Sequence, residues 1–80
     1  MSETKPGRAR KKWRLKMYPS FTYQPTRSMR ETYDLLLILR EQYAANLSPV
    51  HQVDVEVNEG GGFNWQLHER VVFPDREAAR

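Results

Sequence analysis

Eighty residues without a cysteine describe one small domain that no disulfide or thiolate metal site can reinforce, so its stability must come from packing a modest apolar core. The longest apolar run is five residues, far short of the roughly 18 that cross a bilayer, and the charged N-terminus lacks a signal-peptide core. No membrane contact is expected, and the expected location is the cytoplasm, or the nucleus in a eukaryote. The formal charge of +3 hides an asymmetry: residues 1–16 carry seven basic side chains and one acid, whereas residues 17–80 carry six basic and nine acidic ones.

Residues 1–11 have almost nothing to bury and include Pro6 and Gly7, which predicts a disordered basic arm ahead of a single domain over residues 12–74 and a short tail over 75–80. From Lys12 the pattern becomes a strict alternation. Trp13, Leu15, Met17, Phe21 and Tyr23 fall on one parity, with Lys12, Arg14, Lys16, Ser20, Thr22 and Gln24 on the other. A period of two predicts a half-buried strand with a basic outer face. Pro19 cannot donate to a ladder and marks a bulge, a strand edge or a break into two short strands.

Ser28–Leu47 predicts the central helix. Ser28 and Glu31 fit a capping box, in which the Ser hydroxyl accepts from the Glu31 amide and the Glu carboxylate reaches back. Asn46 is the expected left-handed terminator, followed by Pro49. Met29, Thr32, Leu35, Leu36, Leu39, Tyr43 and Leu47 share one stripe, which is the expected core face. Five consecutive apolar residues, Leu35 to Leu39, point in almost every direction, so one sheet cannot cover them all. Leu37 falls beside Tyr33, and Ile38 falls among Glu31, Asp34 and Glu41, where solvent or a partner is expected.

Val50–Asn58 alternates again, with Val53, Val55 and Val57 on one face and Asp54, Glu56 and Asn58 on the other, where the two carboxylates read as solvated charge. Glu59 and the three glycines that follow predict a flexible hairpin tip. Phe63, Trp65, Leu67 and Val71 then point inward, with Asn64, Gln66, His68 and Arg70 outward, until Pro74 stops the strand. Asp75 could cap a frayed final turn. The assembled expectation is an α+β fold of β-α-β-β order: a three-stranded antiparallel sheet with one helix across its apolar face, Trp13 and Trp65 both packing on Leu36, Leu39 and Tyr43.

Signals for catalysis are sparse. The two histidines, His51 and His68, fall on opposite parities, which works against a shared metal. The glycines precede a strand, whereas a phosphate cradle leads into a helix N-terminus. No enzyme activity, cofactor or metal is therefore expected. The strongest functional signal is the basic segment: Lys5, Arg8, Arg10, Lys11, Lys12, Arg14 and Lys16 are suited to neutralising phosphates without reading sequence, on DNA, RNA or a nucleoprotein. Trp13 or Tyr18 could add base stacking, although the parity of Trp13 matches the core. The competing expectation is a protein-interaction module, for example a phage-type inhibitor of a host enzyme or defence complex, or a homodimer. It would use Tyr33, Asp34, Leu37, Ile38 and Glu41 on the outer helix face together with a sheet edge.

Overall fold

The computed structural model describes residues 11–74; the arm that holds Lys5, Arg8 and Arg10 and the expected turn at Asp75 lie outside the described residues. Strand β1 (Lys12–Tyr18) turns at Pro19, through a cis Tyr18–Pro19 peptide, into the short strand β2 (Phe21–Thr22). Helix α1 (Met29–Ala44) follows, then the hairpin of β3 (Gln52–Asn58) and β4 (Trp65–Val72). The fold is α+β, with one antiparallel sheet in the order β2-β1-β3-β4. The expected three strands become four because the chain does break at Pro19, and Phe21 folds back opposite Met17.

Helix α1 begins and ends as its sequence dictates. Ser28 Oγ accepts from the Glu31 amide at 3.0 Å. The reciprocal half of the capping box is replaced: Thr26 Oγ1 accepts from the Ser28 amide, and the Glu31 carboxylate turns away to accept from the Tyr23 and Thr26 hydroxyls. At the other end Asn46 has φ of 62°, and the amides of Asn46 and Leu47 donate to the carbonyls of Tyr43 and Gln42. That pair of bonds is a Schellman motif, which satisfies carbonyls the helix itself leaves open.

The core is Trp13, Leu15, Met17, Leu36, Leu39, Val53, Val55, Val57 and Phe73. Leu15, Val53 and Val55 are fully buried, each contributing about 1.5–3 kcal/mol of apolar transfer. A helix is roughly 10 Å across and strands lie about 4.8 Å apart, so one helix covers about two strands. Here α1 packs against β1 and shields the β1–β3 centre, leaving the flanks open. Phe21 shares a face with Met17 yet is 63% exposed, because it lies at the uncovered edge. Met29 and Leu47, at the two ends of the apolar stripe, are exposed as well.

Strand β4 departs most from its sequence pattern. The β3–β4 register shifts between Val55 and Glu56: Glu69 pairs with Val55 while Leu67 pairs with Glu56, which leaves His68 as an inserted residue. One inserted residue inverts the parity of everything beyond it. Trp65 and Leu67 therefore stand on the outer face with Glu56 and Asn58, not on Leu36 and Leu39 as their alternation predicts. Phe63 is fully exposed, and the His68 and Trp13 rings meet in a T-shaped contact with centroids 5.0 Å apart. Phe73, just past the strand, takes a core position against Tyr43.

Candidate functional site on the outer sheet face

Alternate residues of β1, β3 and β4 meet on the face opposite the helix, and no described element covers it. Strand β1 supplies Lys12, Arg14, Lys16 and Tyr18; β3 supplies Gln52, Asp54, Glu56 and Asn58; β4 supplies Trp65, Leu67, Arg70 and Val72. Four cations thus stand over two carboxylates.

Both carboxylates are engaged. Arg14 Nε donates to Glu56 Oε1 at 2.7 Å, and its guanidinium carbon lies 4.2 Å from the centroid of the Trp65 ring. This side chain is held between a charge and an aromatic plane, with about a quarter of its surface still exposed. Asp54 is only 2% exposed, contrary to the solvated position that alternation implies. As a central-strand residue it is covered from both sides, by Tyr18, which donates at 3.1 Å, and by Arg70, which donates two bonds of 2.9 and 3.0 Å. The Arg70 bonds hold its carboxyl below the ordinary carboxylate range, helped by Tyr18 and Gln52 and opposed by burial. The same pairing raises the Arg70 pKa.

Of the basic residues singled out in the sequence, Lys11, Lys12, Arg14 and Lys16 lie within the described chain. Lys11 makes a loose, exposed contact of 3.5 Å with Glu59, a class of ion pair worth little in water. Lys12 is exposed at the mouth of a shallow groove of about 370 Å³ that it lines with Pro25, Thr26 and Arg27. Lys16 is exposed, its ammonium 5.9 Å from the Tyr18 ring centroid. Trp13 is buried and has no face to offer a base.

Sequence reasoning missed Arg27, Trp65 and Arg70 as members of this basic surface. Arg27 is brought to Lys12 by the backbone bridge between Trp13 and Thr26, whose bonds are 2.7 and 2.9 Å long. No local pattern signals that contact. Arg70 faces outward as its alternation predicts, and Trp65 joins it on that face only because of the insertion at His68.

The hairpin tip is built rather than slack. Asn58, 3% exposed, accepts from the amides of Gly60 and Gly61 through Oδ1 and donates to the Gly62 carbonyl through Nδ2. Gly61 and Gly62 adopt φ of 81° and 65°, positions that suit glycine. Because the Gly60 and Gly61 amides point at Asn58, they are not available to cradle a phosphate.

The second candidate surface is the outer helix face. Leu37 and Ile38 are 54% and 49% exposed, with Asp34 and Glu41 also open to solvent. Tyr33 is half-buried, and its hydroxyl donates to Glu69 Oε1 at 2.7 Å, tying α1 to β4. Burial, followed by that carboxylate, pushes the phenol up to about 12. Among the described residues no three His, Asp or Glu side chains converge as metal ligands, and no helix is long and apolar enough to cross a membrane. No protein-family model, curated protein or solved structure matches the chain.

Proposed function

We propose that this is a small non-catalytic protein that binds DNA or RNA, or a nucleoprotein, through phosphates and without reading base sequence. The observation that carries the reading is the continuity of charge. The arm with Lys5, Arg8 and Arg10 leads directly into β1, which carries Lys12, Arg14 and Lys16 at alternate positions along the uncovered sheet face. Arg27 and Arg70 extend the same surface on either side. Cations spaced along an extended strand can follow a phosphate backbone and release its counterions. Arg14, already neutralised by Glu56, contributes less charge than Lys12 and Lys16. The test is a double substitution, Lys12→Glu with Lys16→Glu, in the full chain. Neither side chain has a carboxylate partner among the described residues, so the circular-dichroism spectrum should be unchanged while affinity for a labelled oligonucleotide falls steeply. Unchanged affinity contradicts the reading.

A second reading is favoured by a different observation: β4 is exposed on both faces and pairs only with β3 among the described residues. With Asp34, Leu37, Ile38 and Glu41 on the helix, that edge would suit a protein partner or a second copy of the chain.

A further inference from the structure

The hairpin tip places an aromatic side chain beside the basic surface without burying it. Phe63 is fully exposed, so it contributes no packing to the fold. The loop that carries it is nonetheless pinned: Asn58 makes three bonds within it, and the Trp65 amide donates to the Phe63 carbonyl at 2.9 Å. Leaving a large apolar ring in water on a held loop brings the folded chain no stability, whereas a ring held in place binds a planar partner with little further ordering.

The surroundings specify the partner. Phe63 stands two residues before Trp65, at the end of the sheet where Lys12 pairs opposite Asn58 and Lys11 reaches Glu59. Trp65 in turn supports the Arg14 guanidinium, whose plane is braced by Glu56. An exposed ring, a supported guanidinium plane and flanking lysines form a stacking platform with phosphate contacts at its rim. In a duplex the base faces are already occupied by their neighbours, so only unpaired bases can use such a platform.

We infer that the nucleic acid bound is single-stranded, with one base stacking on Phe63 and a neighbour on the Arg14 guanidinium above Trp65. The inference rests on the nucleic-acid reading above and narrows it to one class of ligand, RNA or DNA. Stacking is indifferent to the sugar, so the two sources are separated by the probes.

The test is fluorescence-anisotropy titration of the full chain against labelled oligo-uridine, oligo-thymidine and a DNA duplex of equal length. Both wild type and Phe63→Ala are titrated, with Phe21→Ala as a control that removes an exposed phenylalanine from the opposite face. At least one single strand should bind tighter than the duplex. Phe63→Ala should lower that affinity about tenfold, leave duplex binding and the salt slope unchanged, and fold normally because the ring is fully exposed. Phe21→Ala should change nothing. A preference for oligo-uridine identifies RNA, and parity between the two single strands identifies either strand as acceptable. Equal affinity for duplex and single strand, an unaffected Phe63→Ala, or equal losses in the two phenylalanine variants would overturn the inference while leaving the broader reading standing. Wild-type protein that binds none of the three probes overturns both.

Discussion

Arg70 grips Asp54 across the β3–β4 ladder with two nearly parallel bonds of 2.9 and 3.0 Å, on a carboxylate that is 2% exposed. The arrangement makes stability depend on pH with a definite sign. The folded-state pKa of Asp54 lies below its unfolded value near 3.8, so the native state binds fewer protons over that interval. The contribution is complete above the unfolded pKa and is lost as pH falls through the folded one. Urea midpoints should therefore hold steady from neutral pH to about 5 and fall below about 4. Asp54→Asn should be less stable at neutral pH and show a flatter acid limb. An unchanged acid limb would mean that other carboxylates dominate it.

Tyr33 provides the alkaline counterpart. Its phenol is raised to about 12 by burial and by Glu69, against an ordinary value of 10. A raised folded pKa means that the stabilisation is fully present below about 10 and disappears as pH climbs toward 12. Ultraviolet titration should show a late-ionising tyrosine in the wild type that is missing in Tyr33→Phe. Loss of an early-ionising tyrosine instead would show that the hydroxyl is not held by Glu69.

Leu15→Ala tests the core. Leu15 is fully buried on β1 opposite Val55, and truncating such a leucine costs about 2–5 kcal/mol. For a domain this small that is a large share of a total of about 5–15 kcal/mol, so the variant should be partly unfolded at moderate temperature. A cost below about 1 kcal/mol, measured by urea unfolding, would place Leu15 outside a close-packed core.

The hairpin tip offers a sharper test because its bonds converge on one side chain. Asn58→Leu removes the acceptor for the Gly60 and Gly61 amides and the donor to Gly62. It should cost roughly 1–3 kcal/mol and speed hydrogen exchange at those two amides. Fast exchange there in the wild type would contradict the pinned loop on which the placement of Phe63 depends.

Much of this fold is legible in the sequence where a single period governs. Trp13, Leu15 and Met17, then Val53, Val55 and Val57, are buried as their alternation requires, and Thr32, Leu36 and Leu39 are buried as helical spacing requires. Ser28 and Asn46 bound the helix through local chemistry that needs no tertiary context. Legibility ends at His68. An inserted residue changes the face of Trp65 and Leu67, and nothing in Leu67-His68-Glu69 announces it, since no glycine or proline marks the spot. The nearest sign was the failure of alternation at Val71, Val72 and Phe73.

Parity also states which face a residue is on, without stating whether neighbours cover it. That is why Asp54 reads as solvated and is buried by Tyr18 and Arg70. The same limit hid the site's composition. Lys12, Lys16 and Arg70 face outward as spacing alone predicts, whereas Arg27 joins Lys12 through a contact that no local pattern signals.

The helix face separates the two functional readings. Leu37→Glu with Ile38→Glu should leave the fold and oligonucleotide affinity intact, since both side chains are about half exposed. Loss of a protein partner or of self-association in that variant, with nucleic-acid binding absent throughout, would favour the interaction module instead.

The most direct test of the central claim is the salt dependence of oligonucleotide binding by the full chain. Each neutralised phosphate contributes about −0.9 to the slope of log affinity against log salt on duplex DNA and about −0.7 on a single strand. Lys12, Lys16 and the arm should together give a slope steeper than about −2, made shallower by Lys12→Glu with Lys16→Glu. A slope near zero, or binding indifferent to those substitutions, would contradict the claim that this face binds phosphates.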